Sequence, residues 1–502
     1  MPLSAHNAPT PRRFRPGPAL SGAALAALLT ASCLTCLAGP ASASPIAPDA
    51  DATTPTAAPA ATGPESPTAP SAAPTPAATI PESAAPSSAA AGGDGVEGDG
   101  ETVAVPVPRC PQAVAAVGFP ITPTLWTEPT TPPATVVVSI TGALPDGIAL
   151  STSPGAGYAY GSPTRVQTAT FTVVARTTKA DGAFDTRSAT CTMTVKAAPK
   201  VNRIAGADRY DQSVRVATAT FDTASIVYVA SGEKYSDALS AAAVAAEHSA
   251  PLLLTPAGSV TPGVLAKVKA LAPADIVVVG GPASVSAAAV AQLKAARPTA
   301  AVTRIDGADR YAVSRNLIAS AKFGVQKSDD VYIATGANFP DALSASPAAA
   351  LVDAPVLLVN GAETAPTAAE RAMLTSLGAD RALIVGGEAS VGAGLQAELA
   401  KTVATVRYAG DDRFEVSGAV NDAAFDSADG LYLASGAVFS DALSGGVAAG
   451  VDEAPLYVTP QNCVSGEAAA AIGRLVPATV TVLGGTTTLG TAIDKLVVCP
   501  GV

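Results

Sequence analysis

Two uninterrupted apolar runs, Pro251-Leu252-Leu253-Leu254 and Ile276-Val277-Val278-Val279, mark the stretch between residues 202 and 300. Neither alternates with polar residues, so each predicts a strand covered on both faces. A third strand is expected at residues 226–230. Between these runs the spacing becomes helical. A helix opening at Asp208-Arg209-Tyr210 runs through Ser213, Val216 and Phe221, with Asp208 at a capping position. An Ala-rich helix starts at Ala238, and another spans about residues 262–270. Continuous apolar strands separated by helices predict an α/β unit whose parallel sheet carries helices on both faces. Loops at the carboxyl ends of such strands are the default ligand face.

The pattern returns twice. Arg203-Ile204-Ala205-Gly206-Ala207-Asp208-Arg209-Tyr210 recurs as Arg304-Ile305-Asp306-Gly307-Ala308-Asp309-Arg310-Tyr311, and in looser form as Arg407-Tyr408-Ala409-Gly410-Asp411-Asp412-Arg413-Phe414. A second block, an apolar strand followed by Tyr235-Ser236-Asp237-Ala238-Leu239-Ser240, recurs with Asp341 and Asp441 in place of Asp237. A third block ends on a double glycine: Gly280-Gly281, Gly386-Gly387 and Gly484-Gly485. Three ordered blocks in three copies define tandem repeats at 202–300, 301–403 and 404–502.

The segment 102–200 has a different period. Ala169, Phe171 and Val173 alternate with Thr168, Thr170 and Thr172, and Cys191, Met193 and Val195 alternate with Thr190, Thr192 and Thr194. With the run at 135–140 and frequent Gly and Pro, this predicts a small β-sandwich. The stretch from Gly142 to Leu150, followed by Gly161-Ser162-Pro163-Thr164, resembles immunoglobulin-like domains of bacterial surface proteins.

Composition adds the ends of the chain. Arg12, Arg13 and Arg15, the weakly apolar stretch from Ala19 to Leu37 and the site Ala41-Ser42-Ala43 read as a secretory signal over 1–43. A permanent membrane anchor or a lipid on Cys33 competes with that reading. Thr30 stands where lipid signals usually carry Leu. Residues 44–101 are an Ala, Pro, Thr and Ser tract, expected to remain a disordered spacer. Of the formal charge of −11, this tract holds eight acids and no base while 1–43 holds three arginines, leaving a mild −6 beyond. No basic tract occurs, which argues against nucleic acid. Cys110, Cys191, Cys463 and Cys499 outlast the signal; domain logic favours Cys110 with Cys191 and Cys463 with Cys499 among three possible pairings. No CxxC pair survives cleavage and His248 is the last histidine, so neither a metal nor another cofactor is expected.

The candidate chemistry lies in the repeats, and each residue set carries two readings. Arg209, Arg310 and Arg413 can make two-pronged contacts with a phosphate or carboxylate; alternatively, Arg209 forms a structural ion pair with Asp208 or Asp237. Asp208, Asp309 and Asp412 belong to the same motif. Asp237, Asp341 and Asp441 precede a helix and read as N-caps, the competing role being a general base or metal ligand. The glycine pairs at 280–281, 386–387 and 484–485 can cradle an anion on free amides, or make a tight turn before helices beginning near Val285, Val391 and Leu489. A serine triad could use only His248, which has no counterpart in the other repeats, so no catalytic residue is assigned. Trp126, the sole tryptophan, is expected in the sandwich, leaving the repeats without an aromatic sugar platform.

The three blocks closely resemble the cell-wall-binding repeat 2 family of Gram-positive surface proteins, over about 202–499. The resemblance implies repeats packed in threes about a pseudo-threefold axis, bound without covalent attachment to anionic wall polymers or peptidoglycan-associated glycan. The expectation is therefore a secreted, non-catalytic surface protein held at the cell wall, with no membrane contact after signal cleavage. An adhesin whose sandwich domain binds a partner and a wall-modifying hydrolase or its accessory subunit are the alternatives.

Overall fold

Period-two alternation after residue 110 folds into two β-sheets around one core. The computed structural model describes residues 108–121, 124–125, 136–153, 156–178 and 184–500. The expected signal, its Cys33, the spacer and Trp126 lie outside the described residues. The first sheet contains β1 (Val114–Ala116), β3 (Val136–Thr141), β6 (Gln167–Thr178) and β7 (Phe184–Lys196), in the order β1-β7-β6-β3. The second contains β2 (Thr124–Leu125), β4 (Ile148–Ser153) and β5 (Ala156–Gly161), with β5 central. Phe171, Val173, Cys191 and Met193 turn inward to meet Ile148 and Ala159 of the other sheet. Thr168, Thr170 and Thr172 turn outward and pair across the ladder with Thr194, Thr192 and Thr190. A disulfide joins Cys110 to Cys191.

The repeats begin one strand earlier than their helices. The first comprises β8 (Lys200–Ile204), α1 (Arg209–Thr220), β9 (Ile226–Ser231), α2 (Ser236–Glu247), β10 (Leu252–Thr255), α3 (Pro262–Leu271), β11 (Asp275–Val279) and α4 (Ala287–Ala296). The second follows with β12 (Ala301–Ile305), α5 (Arg310–Ile318), β13 (Asp330–Thr335), α6 (Pro340–Leu351), β14 (Val356–Val359), α7 (Ala368–Leu377), β15 (Arg381–Val385) and α8 (Ala393–Leu399). The third has β16 (Ala404–Tyr408), α9 (Arg413–Ala424), β17 (Gly430–Ser435), α10 (Phe439–Val451), β18 (Leu456–Thr459), α11 (Gly466–Leu475) and β19 (Thr479–Leu483).

No repeat finishes its own sheet. The three parallel sheets run β10-β9-β11-β12, β14-β13-β15-β16 and β18-β17-β19-β8. The fourth strand of the first two comes from the following repeat, and β8, which opens the array, completes the third. Each repeat is therefore not the self-contained unit that periodicity alone suggests, and the array closes into a ring. At the other edge, β10, β14 and β18 each find a partner for an inward amide: Leu254, Leu358 and Val458 donate to the hydroxyls of Ser213, Ser314 and Ser417. Those buried N–H groups would otherwise lack acceptors.

The helix expected near Leu489 does not form. A 3-10 turn at Ile493–Lys495 stands there instead. The Cys463–Cys499 disulfide and the paired backbones of Val464, Val497 and Cys499 draw the chain back onto the third repeat, taking up the residues a helix would need.

Helices α2, α6 and α10 pack on one another at the middle of the ring. Small residues permit this: a Cβ on Gly450 would fall 2.7 Å from that of Ala246 and 2.9 Å from that of Ala350. The β-segment is joined to the third repeat by shared core, since Ala116 and Phe119 pack with Ala468 and Ile472. Gln112 Nε2 donates to the Gly473 carbonyl at 2.9 Å, and a Cβ on Gly473 would lie 2.1 Å from the Pro120 oxygen.

Candidate functional site at the junctions between repeats

The Asp-Arg-aromatic motif turns each first strand into its helix. Asp208 caps α1 by accepting from the amides of Tyr210 and Asp211, Asp412 caps α9 by accepting from those of Phe414 and Glu415, and Asp309 caps α5 by accepting from that of Ala312. The next residue, the arginine, is thereby held at the helix start with its side chain reaching the neighbouring strand end. Arg209 donates to the Gly232 carbonyl at 2.6 Å, Arg310 to that of Gly336 at 2.5 Å, and Arg413 to that of Gly436. The ion pair considered for Arg209 with Asp208 or Asp237 does not form. Asp208 spends an oxygen on its cap, and Asp237 lies buried against another turn. Each arginine is thus fixed at one nitrogen by a neutral carbonyl, and its charge is left without a carboxylate within 4 Å among the described residues.

The glycine pairs divide their work. Gly280, Gly386 and Gly484 adopt φ of 106°, 117° and 103°, where a side chain is strained. A Cβ there would also fall 2.2–2.5 Å from the Oδ2 of Asp237, Asp341 or Asp441. The first glycine is therefore a close-packed turn. The second is open: among the described residues nothing approaches a Cβ on Gly281 to 4 Å, and Gly387 and Gly485 have one neighbour each, at 3.7 and 3.9 Å. Sequence reasoning assigned no role to Arg203, Arg304 and Arg407, which fasten these turns by donating to the carbonyls of Gly484, Gly280 and Gly386 at 2.8, 2.5 and 2.8 Å. Their threefold recurrence at the head of the motif was the available signal.

Asp237, Asp341 and Asp441 are not N-caps. The caps of α2, α6 and α10 are Tyr235, Phe339 and Val438, with no side-chain capping bond. The aspartates sit inside the first helical turn, 6–7% exposed, and point at the glycine turn. Asp237 accepts from Ser284 Oγ at 2.7 Å. Burial pushes the Asp441 carboxyl up from its usual range, opposed by the hydroxyls of Ser440 and Thr488 and by the charge of Arg209. Burial raises Asp341 likewise, opposed by Ser390 and Arg413.

Those charge effects cross from repeat to repeat. Arg209 acts on Asp441 of the third repeat and Arg413 on Asp341 of the second, while the Arg310 guanidinium lies 5.8 Å from the Tyr235 ring of the first. Ring closure thus brings each motif arginine to the glycine turn of the repeat before it. Where the first repeat meets the third, a cleft of about 250 Å³ opens between Asp208 and Arg209 on one side and Asp441, Gly485, Thr487 and Thr488 on the other. The amides of Gly485, Thr486 and Thr487 donate to no group within the described protein. Tyr235, Phe339 and Phe439 meet on the axis with centroids 5.5–5.8 Å apart, and Arg209 stands 5.5 Å from Phe439. All three junctions therefore surround one end of the central helices.

Chemically, such a cleft offers a half-free guanidinium, amides and hydroxyls to an anion, and a carboxylate to a ligand hydroxyl. His248 lies at the opposite end of α2, with Nε2 3.3 Å from the Gly324 carbonyl, and takes no part. Among the described residues no three His, Cys, Asp or Glu side chains gather as a metal would require, and no helix is long and apolar enough to cross a membrane.

Known proteins share this architecture. Cwp6 from Clostridium difficile superposes with a TM-score of 0.55 at 19% identity, covering 77% of this chain and 67% of that one. Cwp8 from the same organism gives 0.54 at 21%, covering 72% and 62%. In sequence, the N-acetylmuramoyl-L-alanine amidase LytC of Bacillus subtilis (strain 168) is 26% identical over 293 residues, 58% of this chain and 57% of LytC. The amidase enhancer of that organism is 26% identical over 264 residues, 52% of this chain and 35% of its own length. The chain thus spans between about a third and somewhat over half of these curated relatives. The model of cell wall binding domain 2 matches residues 203–290, 304–396 and 407–494, the three segments that form the ring. With more than half of its length matched in three copies, this protein belongs to the cell wall binding domain 2 family.

Proposed function

We propose that this protein is a non-catalytic surface protein that holds itself non-covalently to a Gram-positive-type cell wall, gripping anionic wall polymers at the junctions of its ring. The observation that carries the reading is the cleft in which Arg209, fixed at one nitrogen by Gly232, faces the unused amides and threonine hydroxyls of the third repeat. An acidic protein can meet an anionic polymer only where local donors outweigh its net charge, and that cleft supplies them. Family membership supports the wall as destination, and the two disulfides fit the oxidising compartment that the N-terminal signal implies.

The reading of the β-segment as an immunoglobulin-like, partner-binding domain has one observation in its favour. Tyr158 and Tyr160, two apart on β5, are 36% and 46% exposed with ring centroids 6.0 Å apart. The anchoring role is tested with the full secreted chain and purified wall sacculi, intact or stripped of phosphodiester-linked polymers by hydrofluoric acid. Retention by intact sacculi, weakened by stripping and by rising salt, is the expected result. Equal retention on stripped sacculi would remove the anionic polymer from the reading.

A further inference from the structure

The three junctions have the same backbone plan but different charges. Where the motif loop meets the turn before it, the residue after the motif glycine is Ala207 in the first repeat, Ala308 in the second and Asp411 in the third. The residue after the double glycine is Thr486 in the turn facing the first repeat, Pro282 in the turn facing the second and Glu388 in the turn facing the third. At that last junction a Cβ on Gly387 would lie 3.7 Å from the Gly410 carbonyl. The two loops therefore touch, and their next residues, Glu388 and Asp411, are both exposed at the mouth of the junction.

The rest of the third motif loop adds to the same sign. The Asp411 amide donates to Glu415 Oε2, as the Ala207 amide does to Asp211 Oδ2. Asp211, however, is neutralised by Arg215 at 2.7 Å, whereas no cation lies within 4 Å of Glu415 among the described residues. Every junction carries two motif aspartates, here Asp341 and Asp412, and one arginine spent on the turn, here Arg407 on the Gly386 and Gln396 oxygens. To these the first junction adds Glu233 and the second Asp306, whereas Arg413 faces three further acids, Asp411, Glu388 and Glu415. An anion entering beside Arg413 meets repulsion that offsets the arginine.

We infer that the three junctions are not equivalent: those entered by Arg209 and Arg310 take the anionic polymer, and the one entered by Arg413 is closed to it by Asp411 and Glu388. This rests on the wall-binding reading above. It makes the ring a two-site gripper, with the polymer crossing the axial end between neighbouring junctions. Avidity then comes from two contacts rather than three.

The test uses the full secreted chain on intact sacculi, with thermal melts confirming that each variant is folded. Arg209→Gln and Arg310→Gln should each weaken binding at least about tenfold, the loss expected for a charge-assisted contact. Arg413→Gln should cost less than about twofold. The double variant Glu388→Thr with Asp411→Ala, both changes at exposed positions, should tighten binding about threefold or more and make a subsequent Arg413→Gln as costly as the other two. Equal losses for the three single variants, or a double variant that binds no tighter, would overturn the inequivalence while leaving the junctions as the site. A folded variant with all three arginines changed that still binds normally would remove the junctions from wall binding, and the ranking with them.

Discussion

The buried aspartates show how a residue can be held for position at an electrostatic cost. Asp441 lies under the glycine turn, 6% exposed, with burial raising its pKa against two hydroxyls and Arg209. A carboxyl raised in the folded state binds its proton more tightly there than in the unfolded chain. Its contribution to stability is therefore greatest on the acid side and falls as pH rises from the unfolded value near 3.8 through the folded one. Asn in its place keeps an oxygen for Ser440 and Thr488 but does not titrate. Asp441→Asn should melt at or above the unmodified protein at pH 7, and that advantage should shrink as pH falls to about 4. Calorimetry across this range checks it; a difference independent of pH would mean that the carboxylate is no less stable in the fold than in water.

Among the elements, the central helices show the strictest fit. Alanine-rich sequence is usually a matter of helix propensity, but α2, α6 and α10 use small residues to bring three backbones together on one axis. Ala246 and Ala350 face Gly450, whose absent Cβ leaves the space they fill. Gly450→Ala would gain about 1 kcal/mol of propensity. Against this, contacts of 2.7 and 2.9 Å with two methyl groups belonging to backbone-fixed alanines cannot relax without moving a helix. Overpacking of that kind costs about 1–3 kcal/mol, so a net loss of stability is expected, and Gly450→Val should cost more. A denaturant melt in which the alanine variant is stabler than the parent would show that the axis is looser than its contacts indicate.

At the scale of the whole molecule the ring is closed by its first strand, and the β-segment is part of that closure. A chain beginning at residue 202 would lose Lys200 and Val201, the first two residues of β8, and uncover the face where Phe119 and Ala116 cover Ile472 and Ala468. It should therefore melt well below the full chain and aggregate on heating, with the loss traced to the third repeat by faster amide exchange in β19 and α11. Unchanged melting would mean that the β-segment is only carried by the ring. A single repeat such as 202–300 is in a worse position, since it keeps most of β8 without β19 to receive it and lacks β12. Loss of wall binding by such a fragment would report unfolding as much as lost multivalency.

What the sequence determined by itself was whatever local pattern fixes: the apolar strands read at 251–254 and 276–279, within a residue of their observed bounds, the helix starts at the Asp-Arg-aromatic motif, and a triplicated α/β plan. Capping and periodicity act within a few residues, so a linear reading reaches them. The pairing of Cys110 with Cys191 and of Cys463 with Cys499 also follows the domain order along the chain. Tertiary structure decided the rest. Which repeat completes which sheet depends on contacts up to 279 residues apart, such as Ile204 with Leu483, and no local signal marks an edge strand's partner. The aspartates at 237, 341 and 441 look like caps because they precede an Ala-Leu-Ser helix, yet each helix starts earlier and turns its aspartate toward a glycine that only the folded sheet brings near. The arginines were legible as a recurring charge but not as partners of the preceding repeat. That assignment exists only once β8 joins β19, because the ligand face is built at junctions, and a junction belongs to no single stretch of sequence.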